Sequence, residues 1–280
     1  MNETTVTRTG TMMPLISVIT FIGFLDTPLL IPIIALYASE LGVGVGMVGV
    51  IIGLYSLVNT PANILFGRLV DRFGFRIPLV IGLAGDAVGM FLYSVCRLPF
   101  HLALVRSFHG FFGGIAGPAT MTAMAQHGGE TRQGRTMAVY GMTIAAATLV
   151  GYGMSGFIAS WVSYDAVFWG GAGVLGFGAV LAIFLPGSSK ERVAVETAPP
   201  GETRPRILEL IRRKALISPY LTIFAQYFAL GGLVTLLPLF VKEAGREALH
   251  VGILMAAFSL LFIIVQIPVG ALSDRLGRKG

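Results

Sequence analysis

Eight long apolar runs constrain this chain more than any other feature: 14–37, 46–66, 77–96, 99–125, 136–161, 166–185, 219–241 and 250–271. A helix needs about 20 mostly apolar residues to cross the hydrocarbon layer. Each run is of that order. Backbone polar groups in lipid must be satisfied inside the structure itself, so runs of this length predict an all-α integral membrane fold. Composition agrees, with 55% hydrophobic and 12% charged residues, about half the charge of an average soluble domain. Mean hydropathy is +0.80. A soluble globular domain and a disordered chain are both excluded. Cys96 is the single cysteine, so neither a disulfide framework nor a cysteine metal site is available. The first run is too long for the apolar core of a signal peptide, and no small-residue cleavage site follows it.

The net charge of +6 invites a nucleic-acid reading, and the positions of the charges argue against it. One set of connections carries Arg8, Arg68, Arg72, Arg76, Arg132, Arg135, Lys190, Arg192, Arg204, Arg206, Arg212, Arg213, Lys214, Arg275, Arg278 and Lys279. The opposite set carries only Arg97, Lys242 and Arg246, and Arg106 lies inside a run. Basic residues collect on the cytoplasmic side of membrane proteins. The expectation is a multi-pass protein of the plasma (inner) membrane with both termini in the cytoplasm, its basic excess an orientation signal. The lipid bilayer is the expected partner and nucleic acid is not.

Three segments follow: six spans over 1–185, a polar linker over 186–218, and two spans over 219–280. Pro199-Pro200-Gly201 in the linker cannot stay helical. The stretch from Arg206 to Lys214, apolar at Ile207, Leu208 and Ile211, is expected to form a short amphipathic helix on the membrane surface. A shift of 203 residues lays the second span on the eighth. Val48-Gly49 then meets Val251-Gly252, Ser56-Leu57 meets Ser259-Leu260, and Ile64 meets Ile267. The loops agree as well: Gly67, Leu69, Asp71, Arg72 and Gly74 meet Gly270, Leu272, Asp274, Arg275 and Gly277. Charges and glycines kept in one spacing indicate duplicated halves, one recognised transporter architecture.

The first loop runs from Gly67 to Arg76 and the second from Gly270 to Lys279. The first glycine lets a neighbouring helix come close. The second permits the positive φ of a tight turn. The Asp suits a facing helix N-terminus, whose dipole favours an anion, and the Arg residues can pair with it or with lipid phosphate. Gly67, Asp71, Arg72, Gly74 and Arg76, with Gly270, Asp274, Arg275, Gly277 and Arg278, are therefore expected to form paired gating loops.

These two loops resemble the signature loop of the major facilitator superfamily, which follows the second and eighth of twelve helices. The resemblance covers the whole chain and implies a major-facilitator-type bundle. This would comprise a six-helix N-terminal half and the first two helices of the C-terminal half. It further implies four more helices than this sequence holds. The chain is thus expected to be C-terminally truncated, and a protein ending at Gly280 is expected to show no flux. By the resemblance Asp71 would face helix eleven, and the second loop would face helix five near Arg135 and Thr136. Arg106 with His109-Gly110 is similar to the family's second motif, and the stretch from Glu130 to Met137 to its segment before helix five. Gly151-Tyr152-Gly153-Met154-Ser155-Gly156 resembles the antiporter motif of helix five, with Tyr152 in place of Pro and Ser155 in place of Gly.

Three spans carry a charge at depth: Asp26, Asp86 and Arg106. Each costs roughly 2.5–3.5 kcal/mol at a helix centre on insertion scales, and such residues face a protein interior or a water cavity. Asp26, with Pro28 and Pro32 beside it, is expected to pair with Arg106 until a proton or substrate breaks the pair. Asp86, among Gly82, Gly85 and Gly89, is expected at a tight helix contact with a hydrogen bond nearby. Asn59, Asn63, Gln226 and Gln266 either line a cavity or join helices. Gly113, Gly114, Gly117 and Pro118 predict a kink in the fourth span. The four histidines do not cluster in sequence, and no His/Asp/Glu set has metal-ligand spacing, so no metal is expected.

The function these features imply is a secondary active transporter of a small molecule working by alternating access, with proton-coupled efflux as the first expectation. An uptake permease for a sugar, organic acid or other metabolite is the alternative, and so is a non-transporting truncated membrane protein. No convergent catalytic set points to an enzyme. No Gly-Lys-Ser/Thr loop points to ATP, and no cofactor is implied.

Overall fold

The computed structural model describes the backbone of residues 3–127, 133–187 and 216–276, and the side chains of 12–127, 134–187 and 216–265. Ten helices are present among them: α1 (Glu3–Gly23), α2 (Asp26–Glu40), α3 (Val45–Phe73), α4 (Arg76–Tyr93) and α5 (Pro99–Gly113), then α6 (Ala116–His127), α7 (Gln133–Trp161), α8 (Tyr164–Ile183), α9 (Ile217–Glu243) and α10 (Ala248–Leu276). No strand occurs among the described residues. Seven stretches there are long and apolar enough to cross a membrane. The remaining run, 99–125, the fourth, is delivered as α5 and α6 in succession, each too short alone. The chain is a multi-pass integral membrane protein. Its amphipathic linker segment and the residues from Gly277 onward lie outside the described residues.

Two runs are broken, and both breaks have a local cause. Proline lacks an N–H, and its ring clashes with the carbonyl four residues back. Pro28 places that conflict at Phe24, and Pro118 places it at Gly114. The first run breaks at Phe24–Leu25 and the fourth at Gly114–Ile115. The expected kink in the fourth span is therefore a full interruption. Pro32, Pro61 and Pro238 sit inside continuous helices.

The pieces α1 and α2 form the centre. Ile19, Leu30, Ile33, Ile34 and Ala35 are fully buried, and α2 packs on α3, α7, α8, α9 and α10. The glycines of α4 make a close helix contact. A Cβ at Gly82 would meet Ile115 at 2.7 Å, one at Gly85 would collide with the Phe112 ring, and one at Gly89 would meet His109 at 3.2 Å. The tight contact expected around Asp86 is present.

The repeat is visible in the backbone. Helices α3 and α10 have 29 residues each, and the 203-residue shift carries Val45–Phe73 onto Ala248–Leu276. Before them, Gly42 and Gly245 both take positive φ, 78° and 70°. Val43 N donates to Ala38 O at 3.1 Å, and Arg246 N donates to Val241 O at 3.0 Å. Each bond is the other one shifted. Lys242 Nζ donates to Ser39 Oγ at 2.6 Å, so two residues related by the shift touch.

Candidate functional site

The break in the first run sets up the site. Asp26 opens α2 and is buried, with 4% exposed. A helix N-terminus favours a negative charge in its first turn, which offsets part of the cost of burying Asp26. Asp86 comes from α4, and Arg106 and His109 come from α5, all three buried. Gly89 lets α5 approach α4 closely enough for the imidazole to fit beside Asp86. Arg106 and His109 are three residues apart and share a helix face. Tyr93 stands two turns beyond Asp86 on the same face of α4.

The contacts form a connected set. His109 Nε2 lies 3.1 Å from Asp26 Oδ2 and 3.8 Å from Asp86 Oδ1. On the other edge of the ring, Nδ1 is 3.3 Å from Tyr93 Oη. Arg106 Nη1 donates to Tyr93 Oη at 3.4 Å, and the guanidinium carbon sits 4.7 Å from the Tyr55 ring centroid, a cation–π contact. The Thr27 hydroxyl can donate to Asp26 Oδ2 at 3.3 Å or to Tyr55 Oη at 3.1 Å. Tyr55 and Tyr93 both meet the His109 ring edge to face, at 5.5 and 5.7 Å.

Three expectations change here. Asp26 was expected to pair with Arg106; the side chain it meets is His109, at 3.1 Å, and Arg106 is joined to the cluster through Tyr93 and Tyr55. Asp86 was expected to be hydrogen-bonded, yet neither of its oxygens has a hydrogen-bond partner among the described atoms. No His/Asp/Glu set has metal-ligand spacing along the sequence, and no metal was expected. The fold nevertheless brings ligand atoms of Asp26, Asp86 and His109 within 4.8 Å of one another. The reason is the same each time. The residues sit on three helices, and linear spacing carries no information about which helices adjoin. A local signal did exist: Asp86-Gly89-Tyr93 and Arg106-His109-Gly110 are single faces of adjacent spans. Tyr55, Tyr93 and Thr27 carried no charge and gave no signal alone.

The other candidates divide. Asn59 Nδ2 donates to Gly110 O at 3.2 Å, and Asn63 Nδ2 donates to Asn59 Oδ1 at 3.0 Å. This pair ties α3 to α5 next to the cluster. Gln226 is exposed on α9. In the first loop Gly74 has φ 78° and closes α3 through its N–H to Val70 O at 2.8 Å. Asp71 and Arg72 are exposed, Arg72 lies 5.2 Å over the Phe73 ring, and Arg76 begins α4. No described residue comes within 4 Å of a Cβ at Gly67. Of the second loop, Gly270, Asp274 and Arg275 lie on α10, their side chains outside the described residues with Gln266, Gly277 and Arg278.

The helix-five motif lies between the cluster-bearing α2 and α10. A Cβ at Gly151 would meet Pro28 at 2.5 Å, and Ser155 Oγ donates to Leu29 O. On the other side a Cβ at Gly156 would meet Ala248 O at 2.6 Å and Gly252 Cα at 2.9 Å. Leu249 N donates to Ser160 Oγ at 2.8 Å. With Lys242 and Ser39, these contacts latch α9 and α10 to α2 and α7 at the end of the bundle that holds Arg97.

A helical membrane bundle with ionisable groups buried together at a helix break defines a class, the polytopic proteins with an intramembrane charged site. Residues 16–280 match the model of the Major Facilitator Superfamily, and the chain belongs to that family of transporters. It is 24% identical over 264 residues to the MFS-type transporter MJ1560 of Methanocaldococcus jannaschii, covering 92% of this chain and 67% of that one. It is 25% identical over 225 residues to the quinolone resistance protein NorA of Staphylococcus aureus, covering 80% and 56%. In fold it resembles a bacterial homologue of the human lysosomal transporter Spinster, solved inward-facing and unoccupied. The TM-score is 0.68 at 11% identity, over 97% of this chain and 64% of that chain. The chain thus spans between about half and two thirds of these proteins.

Proposed function

We propose that this protein is a secondary active transporter that exports a small molecule in exchange for protons by alternating access. Both termini lie in the cytoplasm, and the halves are 1–185 and the part beginning at 219, joined by the 186–218 linker. The observation that carries the reading is the buried cluster of Asp26, Asp86, Arg106 and His109 at the break of the central span. Charges kept inside a bilayer at such a cost mark ion or substrate pathways, and transporter sites form at discontinuous helices between halves. Asp26 is the coupling carboxylate, and Arg106 holds the cluster's charge balance through Tyr93. The latch at the Arg97 end closes the outer side, and the paired loops, with Asp71, Arg72, Asp274 and Arg275, gate the inner side. The kinship with a quinolone resistance protein favours efflux and makes a quinolone the first probe.

The test uses the full-length protein as its gene encodes it, in liposomes with an internal pH dye. Adding a fluorescent quinolone should move protons in the opposite direction to the drug. Asp26→Asn should abolish the proton movement. Proton coupling retained in Asp26→Asn would remove that residue from the mechanism.

A further inference from the structure

We infer that one exchangeable proton is held in common by His109, Asp26 and Asp86, and that Tyr93 determines which nitrogen of the ring presents it. This rests on the coupling reading above and adds to it a residue, a stoichiometry and a tautomer.

The geometry carries the argument. His109 Nε2 faces both carboxylates, at 3.1 and 3.8 Å. Both Asp86 oxygens lack a hydrogen-bond partner among the described atoms and so does Nε2, all of them buried. A buried carboxylate with no donor is costly, and a proton on the facing ring supplies one. The groups around His109 are few. Asp26 faces it from α2, Tyr55 from α3, Asp86 and Tyr93 from α4, and Arg106 shares its helix. The Phe168 ring of α8 packs on Tyr93, 5.5 Å between centroids. Two carboxylates against one guanidinium leave an excess negative charge when the imidazole is neutral. One proton from water cancels it, and release restores it. Ligand atoms of the three residues lie within 4.8 Å of one another, so one proton can serve them all.

Tyr93 fixes the unloaded form. Its oxygen accepts from Arg106 Nη1 at 3.4 Å, which leaves the hydroxyl hydrogen for His109 Nδ1 at 3.3 Å. A ring that accepts at Nδ1 carries its own hydrogen on Nε2, pointed at the carboxylates. On loading, Nδ1 gains a hydrogen and donates to the Tyr93 oxygen, whose hydroxyl hydrogen turns away. Arg106 therefore senses the loaded state without touching either carboxylate. The same guanidinium opposes a divalent metal ion between Asp26, Asp86 and His109.

The experiment is ring-nitrogen NMR on the full-length protein, labelled at histidine in lipid nanodiscs, between about pH 5 and pH 9. The His109 signal is assigned by its loss in His109→Gln, or by its change in Tyr93→Phe if the first variant does not fold. We expect neutral His109 to carry hydrogen on Nε2, the other tautomer to appear in Tyr93→Phe, and the titration of the ring to change in Asp86→Asn. A ring that stays neutral throughout, carries hydrogen on Nδ1, or titrates identically in Asp86→Asn overturns the inference. So does stoichiometric Zn²⁺ binding that His109→Gln removes. Transport separates the two readings. Proton-driven quinolone flux should fall to the gradient-free rate in His109→Gln, with drug exchange continuing. Unaltered coupling in that variant sinks the shared proton alone. Absence of coupling in the parent protein sinks the coupling reading, and the NMR result still decides where the proton sits.

Discussion

The segment from α2 through α3 and the segment from α9 through α10 match under one shift, and their side chains and surroundings differ. Their turns agree to the hydrogen bond, and their second helices have the same bounds. Their surroundings do not agree. The most apolar stretch of 12–40 is 72% buried, against 11% for that of α9. The chemistry differs too. Asp26 answers to Ala229, Pro28 to Gly231, Tyr55 to Phe258 and Asn59 to Phe262. With glycine in place of Pro28, α9 runs unbroken over 27 residues. Phe258 and Phe262 stack on each other, 6.5 Å between centroids, where the first copy has Tyr55 and Asn59 beside the cluster. A duplicated backbone fixes turns and lengths, and a handful of side chains then decides which copy carries charge.

The comparison can be tested at matched positions. The largest effect belongs to the charge. Asp26→Asn should eliminate proton-driven flux in liposomes, whereas Ala229→Asn should leave the coupling intact. Equal losses would mean the two copies share the coupling role. Next comes the glycine pair. Gly252 packs on Gly156, where a methyl would meet Tyr152 O at 2.8 Å and Gly156 Cα at 2.9 Å. Gly252→Ala should therefore cost about 1–3 kcal/mol, the usual range for overpacking. At Gly49 the nearest atom to the same methyl is Thr235 Cγ2 at 3.8 Å, so Gly49→Ala should leave the detergent melting temperature of the full-length protein nearly unchanged. The turn glycines should behave alike, because the backbone is alike. Gly42→Ala and Gly245→Ala should each cost about 1–2 kcal/mol for the left-handed conformation, and a clear difference in thermal unfolding would break the equivalence of the turns. The smallest effect is at Asn59, where Asn59→Ala should cost roughly 1 kcal/mol for the hydrogen bond to Gly110 O, and Phe262→Asn should not recreate that bond.

The sequence alone established the membrane, the eight spans and the repeat. Long apolar runs and repeated loops are local properties, and lipid leaves the backbone one common answer, the helix. It also marked Asp26, Asp86 and Arg106, because a charge in an apolar run stands out whatever surrounds it. It marked a kink in the fourth span near Pro118, since a proline acts on the carbonyl four residues back, but not that the first and fourth runs break outright at Phe24–Leu25 and Gly114–Ile115. Only the tertiary structure paired Asp26 with His109, put Tyr93 between His109 and Arg106, and left Asp86 without a hydrogen-bond partner. Those facts depend on which helices adjoin and how they are rotated. Gly82, Gly85 and Gly89 determine that by letting α5 and α6 lie close against α4, and contact between helices far apart in sequence has no period to read along the chain.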